Sequence, residues 1–157
     1  MGREVKRVPL DFDWPMGTIW QGFLNPHYSQ CQACKDKEDY KTPCKWCGDK
    51  GTDPVTQEAY KAWEPTEPPT GEGWQMWETT SEGSAISPVF ETSKSLARWL
   101  ANTNASSFGH QGATYEQWYN VIHAGWAPSA MVEVGSSGRG RLISGAEAVA
   151  HHGLTGE

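Results

Sequence analysis

The sequence predicts a mixed α+β protein: a small antiparallel hairpin or sheet packed by two or three short helices, with a four-cysteine zinc unit. Three observations indicate this class. Strand-forming runs flank a turn near the middle of the chain, helical periodicities follow them, and four cysteines form two close pairs. Only 37% of the 157 residues are apolar although nine are tryptophan, so we expect a small core of large rings. A core of that size often needs a metal or another staple.

Residues 1–30 are predicted to be an extended aromatic segment that packs on the core. Between residues 8 and 26, aromatic and aliphatic side chains alternate with the breakers Pro15 and Gly17. Packing is the preferred role for the rings, and an exposed aromatic binding face is the alternative. The rings concerned are those of Phe12, Trp14, Trp20 and Phe23.

The next segment, 31–63, contains two Cys-x-x-Cys pairs separated by nine residues. This spacing lets both thiolates of a pair face one ion, and two pairs complete a closed tetrahedral sulfur shell. We therefore predict that Cys31, Cys34, Cys44 and Cys47 bind one structural zinc ion. A closed shell has no position for water, which argues against hydrolytic metal chemistry.

Other roles for the cysteines remain open at this stage. Two disulfides are disfavoured in an intracellular protein, a redox dithiol normally needs one pair, and iron can replace zinc during expression. His27, four residues before the first cysteine, is considered as a substitute ligand or as a hydrogen-bond donor to a thiolate. Four thiolates around a divalent ion carry a net charge of about −2, which nearby cations can neutralise. Such cations are Lys35, Lys37, Lys41, Lys45 and Lys50.

A short helix and a linker are predicted after the second cysteine pair. Asp53 can cap the helix and Pro54 suits its first turn. The helix, residues 55–63, should dock one apolar face, and that face consists of Val55, Ala59, Ala62 and Trp63. Residues 64–73 contain three prolines and two glycines, which predicts a linker.

The segment 74–126 is predicted to be the α+β body, and it begins with a hairpin. Residues 74–80 and 85–90 are rich in strand formers and are separated by a turn at 81–84. Pro88 has no N–H group to donate. The second strand should therefore lie at an edge or be bulged at this proline.

Two helices complete the predicted body, and a tail follows it. Thr92 or Ser93 can cap a helix over 94–101 that buries the stripe Leu96, Trp99 and Leu100. Thr114 and Gln117 have the spacing of a capping box before a helix over 115–123, and Gly125 can end it. The face of this helix is predicted to contain Tyr115, Trp118, Tyr119 and Ile122. Small residues in 127–157 predict a peripheral flexible tail, with a possible short helix between Ser144 and Gly153.

Charge and hydropathy limit the possible partners. No apolar run approaches the length of a membrane span and the first residues lack an apolar signal core, so we expect a cytoplasmic protein with no membrane partner. The net charge of −6 argues against broad non-specific binding of nucleic acid. Residues 31–50, however, carry five lysines against four acids, whereas residues 51–91 carry eight acids against Lys61 alone.

Two stretches of the chain resemble known groups of proteins. The run Cys-Lys-Trp-Cys-Gly-Asp-Lys-Gly at 44–51 resembles zinc ribbons and the cysteine-rich modules of J-domain co-chaperones. Roughly residues 8–126, and especially 71–90 with Leu-Ala-Arg-Trp-Leu at 96–100, resemble a group of small, mostly uncharacterised proteins of tailed bacteriophages and prophages. The second resemblance implies an accessory protein in the cytoplasm of the infected host cell, where it would bind host machinery or a defence factor.

The leading functional prediction is a non-catalytic protein that binds a protein partner, with Lys45, Trp46 and Lys50 as candidate contacts. The first alternative is a zinc-ribbon protein that binds nucleic acid and stacks a base on the same tryptophan. The second is a small enzyme using Glu78 and Glu82 of the 74–90 hairpin. No phosphate-binding loop, dinucleotide fingerprint or nucleophile elbow is present. We therefore do not predict an enzyme.

Overall fold

The computed structural model describes residues 2–35, 43–48, 50–51, 53, 55–79, 83–136 and 138–153. Contacts divide the chain into two compact units. The smaller unit is Gln21–Glu67, and the larger one combines Met1–Trp20 with Pro68–Glu157. The cysteine segment thus lies in a unit that interrupts the sequence of the larger one. The five-part division predicted from the sequence stays a prediction.

The predicted α+β class is confirmed. The described residues form five α-helices and two antiparallel sheets, one of three strands and one of two. No helix among them is both long enough and apolar enough to cross a membrane. In chain order the elements are β1 (Arg3–Val8), α1 (Gln32–Lys35), α2 (Gln57–Ala62), β2 (Gly73–Glu78), α3 (Ser93–Asn102), α4 (Tyr115–Ala124), β3 (Trp126–Ala127), β4 (Ala130–Val134), β5 (Gly140–Ser144) and α5 (Gly145–His152).

The three-stranded sheet has the order β2-β1-β3. Strand β1 pairs with β2 over its whole length, from Arg3 opposite Glu78 to Val8 opposite Gly73. The sequence does not predict β1 and instead predicts residues 85–90 as the partner strand of β2. That prediction is wrong in part, because residues 85–90 meet β2 only through isolated bridges.

Pro88 explains why a continuous strand does not form there. Trp74 and Phe90 exchange two backbone hydrogen bonds, and Ile86 donates its N–H to the Met76 carbonyl. Between these points, the Met76 N–H donates to the Ser87 hydroxyl at 2.9 Å instead of to a backbone carbonyl. The predicted irregularity at this proline is therefore present, since a residue without an N–H cannot complete the ladder.

The predicted helix ends are confirmed in α3 and α4. The Thr92 hydroxyl accepts a hydrogen bond from the Ser95 N–H at the start of α3. Thr114 and Gln117 form a reciprocal capping box at the start of α4. Helix α4 ends at Gly125, whose φ of 80° is the left-handed conformation that glycine adopts most easily.

The core of the larger unit lies among α3, α4, α5 and the three-stranded sheet. Its aromatic centre is Trp118, which belongs to the predicted face of α4 and is fully buried. Trp99 is only half-buried, whereas Ala97 is fully buried, so the apolar face of α3 is rotated from the predicted stripe. The buried cluster consists of Met76, Leu96, Ala97, Leu100, Trp118, Val121, Ile122, Ala127, Ala146 and Val149.

The C-terminal segment corrects a further prediction. Helix α5 begins after Ser144 and ends at Gly153, as its capping residues suggested. It is not peripheral, however, because Ala146 and Val149 belong to the core. Small residues permit this close packing: a Cβ added to Gly145 would overlap the backbone carbonyl of Pro128. The two-stranded sheet of β4 and β5 before this helix was not predicted.

The aromatic segment before the smaller unit packs against itself and against β2. The rings of Trp14 and Trp20 meet edge to face with centroids 4.9 Å apart. Phe12 lies 5.7 Å from Trp20 and 6.5 Å from the buried Trp77, measured between ring centroids. These contacts agree with the packing role predicted for the three rings.

Candidate metal centre

Short backbone turns hold each cysteine pair in the smaller unit. The Cys31 carbonyl accepts hydrogen bonds from the N–H groups of Cys34 and Lys35 at 3.1 and 3.2 Å, as α1 begins. In the second pair, Gly48 donates its N–H to the Cys44 carbonyl at 2.8 Å. The φ of Gly48 is 62°, a left-handed backbone conformation that residues other than glycine adopt only at an energetic cost. These turns direct the two thiols of a pair to the same side.

The structure brings all four predicted cysteines together. Their Sγ atoms all lie within 4.8 Å of one another. The sulfurs of Cys34 and Cys47 are 3.2 Å apart, and those of Cys31 and Cys44 are 4.0 Å apart. Three of the four side chains are buried, and only Cys34 is partly accessible. The cluster is therefore compact and largely shielded from solvent.

These separations fit a metal shell better than disulfides. A tetrahedral ion with bonds of about 2.3 Å to sulfur places its ligands about 3.8 Å apart, which lies inside the observed spread. A disulfide requires about 2.05 Å between sulfurs, and all four cysteines are free. No tyrosine, histidine or carboxylate is needed to complete the set. The donor chemistry and the spacing together show that the cluster can hold one metal ion.

The environment acts differently on the four thiols. Backbone N–H groups of Cys47 and Trp46 point at the Cys44 sulfur and lower its pKa to about 6. The neighbouring Cys34 thiol lowers the pKa of Cys47 by hydrogen bonding to it. Hydrogen bonding to the sulfurs of Cys47 and Cys44 raises the pKa of Cys34, and burial raises the pKa of Cys31. The Cys44 sulfur is thus ready to act as a thiolate at neutral pH, and a cation would be needed to ionise Cys31 and Cys34 there.

Backbone hydrogen bonds tie the two cysteine pairs into one unit. The Cys31 N–H donates to the Gly51 carbonyl at 2.9 Å, just after the second pair. Two residues earlier, the Ser29 carbonyl accepts from the Asp53 N–H at 2.9 Å. The chain entering the first pair is therefore held beside the chain leaving the second, which fixes the direction from which α2 starts.

The predicted partner residues lie on the surface of this centre. Trp46 is 60% exposed although it sits between two buried cysteines. Lys45 and Lys50 are also exposed. Lys35, the last residue of α1, is exposed as well, while the predicted neutralising residues Lys37 and Lys41 lie outside the described residues. The second cysteine pair and the residues just after it thus present one aromatic ring and two cations to solvent.

His27 is not among the clustered ligands. Among the described residues, the group that could hold a metal consists of the four cysteines alone. His27 is exposed, and its backbone N–H donates to the Asn25 side-chain oxygen at 2.9 Å. Its place in the sequence therefore reflects a turn before Cys31.

Helix α2 differs from its prediction in its start and its face. Its N-cap is Thr56, whose side chain makes no capping hydrogen bond, while the Asp53 carboxylate accepts the Val55 N–H before the helix. Pro54 lies outside the described residues. The predicted docking face is wrong, because Val55 is 80% exposed and no residue of α2 is buried.

The structure describes one of the two candidate catalytic glutamates. Glu78 lies at the end of β2, where its carboxylate is 3.6 Å from the guanidinium of the buried Arg3. The same arginine also donates to the Ser106 carbonyl from two nitrogens. Glu82, with the adjoining Thr80 and Ser81, lies outside the described residues. The role of Glu78 that the structure shows is to pair with a buried cation.

Sequence reasoning missed an aromatic cleft in the smaller unit. The cleft has a volume of about 620 Å³. Its apolar wall is formed by Phe23, Leu24, Tyr28, Tyr60, Trp63 and Pro65. Tyr60 lies in α2, and Trp63 follows the end of this helix three residues later. Residues three apart lie on one side of a helix, and this spacing was the sequence signal that could have indicated the cleft. That Tyr28 faces them follows only from the folded structure.

Comparisons of the chain with models of protein families, with curated proteins and with solved structures gave no match.

Proposed function

We propose that this chain is a non-catalytic, zinc-stapled binding protein that captures a protein partner through its smaller unit. The observation that carries the proposal is the second cysteine pair, in which two buried sulfurs flank a tryptophan that is 60% exposed. A large ring held in water by a rigid turn has little role in folding. Such rings are enriched among the residues that contribute most to protein interfaces.

Zinc is the metal that suits the cluster best. Four thiolates in tetrahedral spacing form the usual shell of a structural zinc ion, and they fill every coordination position. Bound zinc would draw the sulfurs of both cysteine pairs to one centre and hold the exposed turn in place. It would perform no reaction there, since no site remains for water or a substrate.

The contact surface comprises Lys45, Trp46 and Lys50, which are all exposed. An aromatic ring flanked by two cations favours a partner surface with an apolar pocket and acidic groups around it. The resemblance to small proteins of tailed phages suggests a host or defence factor as the partner, met in the cytoplasm of the host cell.

The same three residues favour a second candidate, the binding of nucleic acid. A base can stack on the exposed Trp46 ring while Lys45 and Lys50 contact phosphates. Affinity would then fall steeply as salt is added, because each phosphate contact releases condensed counterions. A protein partner bound mainly through the ring would respond much less to salt.

The test is native mass spectrometry of the chain purified from host-cell lysate. We expect one zinc ion per chain and a stoichiometric protein partner that survives nuclease treatment. Trp46→Ala should remove the partner and keep the zinc, whereas Cys44→Ser combined with Cys47→Ser should remove both. Val55→Ala serves as the matched control, because Val55 is an exposed apolar residue of the same unit.

Three results would decide against the proposal. If the purified chain contains no metal, the proposed zinc staple is wrong. If Trp46→Ala still captures the partner, the proposed contact surface is wrong. A co-purifying species that nuclease destroys, and that high salt releases, would replace the protein partner by nucleic acid.

A further inference from the structure

The aromatic cleft of the smaller unit is separate from the Trp46 surface and is built by two segments. Tyr28 comes from the chain leading into the first cysteine pair, while Tyr60 and Trp63 come from α2 and its end. The two tyrosine rings are 6.1 Å apart and tilted by 56°. Asn25 joins the segments, since its side-chain N–H donates to the Tyr60 carbonyl at 2.9 Å.

The wall of this cleft offers hydrogen-bond donors around an apolar floor. The hydroxyls of Tyr28 and Tyr60 and the indole N–H of Trp63 have no partner among the residues that the structure describes. Phe23 and Leu24 supply the apolar part, and Leu24 is 53% exposed. A ligand for such a wall must be flat or ridged, apolar, and rich in acceptors.

Charge narrows the class of ligand. Lys61 is the one charged side chain among the described residues lining the cleft, and it makes no ion pair with another described residue. Aromatic rings alone would suit an organic cation through cation–π attraction. A lysine in the same wall opposes a cation by like-charge repulsion and attracts a carboxylate instead. The cleft is therefore matched to a neutral or acidic ligand.

We propose that this cleft binds a proline-rich peptide that carries acidic residues, in the polyproline II conformation. Prolines in this helix present apolar ridges that fit between aromatic rings, and its carbonyls make no internal hydrogen bonds. Those carbonyls can accept from Tyr28, Tyr60 and Trp63, while a peptide carboxylate pairs with Lys61.

The chain itself shows the same chemistry at the edge of the cleft. Pro65, part of the segment Glu-Pro-Thr-Glu-Pro-Pro at 64–69, already lies against the aromatic wall. The adjacent Thr66 donates its N–H to the Gly22 carbonyl at 2.9 Å, which anchors this segment to the start of the unit. A proline and the rings are therefore compatible neighbours here, and a bound peptide would extend that contact.

The inference rests on the proposed zinc staple, because the staple holds both walls. Tyr28 is three residues before Cys31, and the backbone bond from Asp53 to Ser29 joins its segment to the lead-in of α2. It does not rest on the Trp46 surface. The two proposals can therefore fail separately.

The probe is a synthetic peptide with the repeat Pro-Pro-Glu, about nine residues long, which places every carboxylate on one side of a helix of three residues per turn. Binding to the zinc-loaded full chain is measured by calorimetry and by changes in its ¹⁵N–¹H spectrum. We expect the peptide to shift the signals of Tyr28, Tyr60 and Trp63. A Gly-Gly-Glu peptide of equal charge should bind at least about tenfold more weakly, because it must be ordered on binding.

Variants of the cleft separate its contributions. Tyr60→Phe should weaken binding about threefold to tenfold by removing one donor, and Tyr60→Ala by about tenfold or more. The Lys61→Glu variant should no longer bind the Pro-Pro-Glu peptide and should bind a Pro-Pro-Lys peptide instead. Lys94→Glu makes the same charge change on α3, and Val55→Ala trims an exposed side chain outside the cleft; both should leave binding unchanged. Zinc content and the spectrum of each variant check its fold.

The proposal is overturned if Gly-Gly-Glu binds as tightly as Pro-Pro-Glu, or if Tyr60→Ala keeps full affinity. It is also overturned if a single-stranded oligonucleotide competes for the same signals more tightly than the peptide. None of these results bears on partner capture through Trp46, which the mass-spectrometric test measures independently.

Discussion

The four clustered cysteines do not have equivalent thiols, and the difference arises from the groups around each sulfur. Cys44 receives backbone N–H groups that stabilise its thiolate, so its pKa is about 6. Cys34 faces two other sulfurs, and Cys31 is buried, so the pKa of each is raised. The folded metal-free cluster should consequently hold protons at Cys31 and Cys34 at neutral pH.

This difference predicts how many protons zinc displaces. The pKa of Cys44 is lowered, so its thiolate is present above about pH 6 and is lost as the pH falls through that value. The thiols with raised pKa remain protonated at neutral pH and must release their protons to zinc. Binding should therefore displace at least two protons near neutral pH and more than that about two pH units lower, with affinity falling as the medium becomes more acidic.

The measurement is calorimetric titration of zinc in buffers of different ionisation enthalpy, at both pH values. The dependence of the observed heat on the buffer gives the number of protons released. An equal number at the two pH values would contradict the assigned order of the thiols. Cys44→Ser provides the control, since it should remove the part of the difference that this thiol contributes.

Among the secondary-structure elements, helix α4 is the one whose start is specified most fully. Thr114 and Gln117 each accept a hydrogen bond from the other's backbone N–H, at 3.2 and 2.9 Å between heavy atoms. Trp118, in the first turn after this box, is fully buried in the core. A capping residue here therefore supports both the start of the helix and the packing of a fully buried tryptophan.

Thr114→Ala should lower the free energy of unfolding by about 1 kcal/mol, because the N–H of Gln117 loses its acceptor at the helix start. The measurement is urea unfolding followed by tryptophan fluorescence and circular dichroism. Thr70→Ala is the matched control: Thr70 is exposed and takes part in no described side-chain hydrogen bond. An equal loss of stability in both variants would show that the capping box contributes nothing specific.

At the level of the whole molecule, the two units differ in what holds them together. The larger unit has an apolar core contributed by three helices and a sheet. In the described part of the smaller unit, the buried cluster consists of cysteines, and neither α1 nor α2 contains a buried residue. The smaller unit should therefore depend on the metal, and the larger one should not.

On the proposed zinc staple, a chelator is expected to make Gln21–Glu67 unfold at a lower temperature than the larger unit, which should keep its own cooperative thermal transition. An unfolded insertion of this length acts as a long loop, and the entropy of closing a loop rises only slowly with its length. Hydrogen exchange followed by mass spectrometry measures protection segment by segment. Cys44→Ser with Cys47→Ser should reproduce the effect without chelator, and loss of protection in α3 and α4 as well would contradict it.

The features that could be predicted from the sequence depend on neighbours within a few residues. The cysteine pairs are spaced so that both sulfurs of a pair face one ion, and the structure brings the pairs together. The caps at Thr92, Thr114, Ser144 and Gly153 are also local, because each joins groups within about one helical turn. Such patterns can be recognised without knowing the rest of the fold.

The contacts between distant segments, in contrast, became known only from the folded chain. Strand β1 pairs with β2 over its whole length, whereas residues 85–90 meet β2 only at isolated bridges, because Pro88 has no N–H group for a continuous ladder. Small side chains allowed α5 into the core, where composition had suggested a peripheral tail. Tyr28 and Tyr60 face each other although they are far apart in sequence, only because the folded backbone brings their segments together. Pairings of this kind depend on competition among all segments of the chain, which local spacing does not encode.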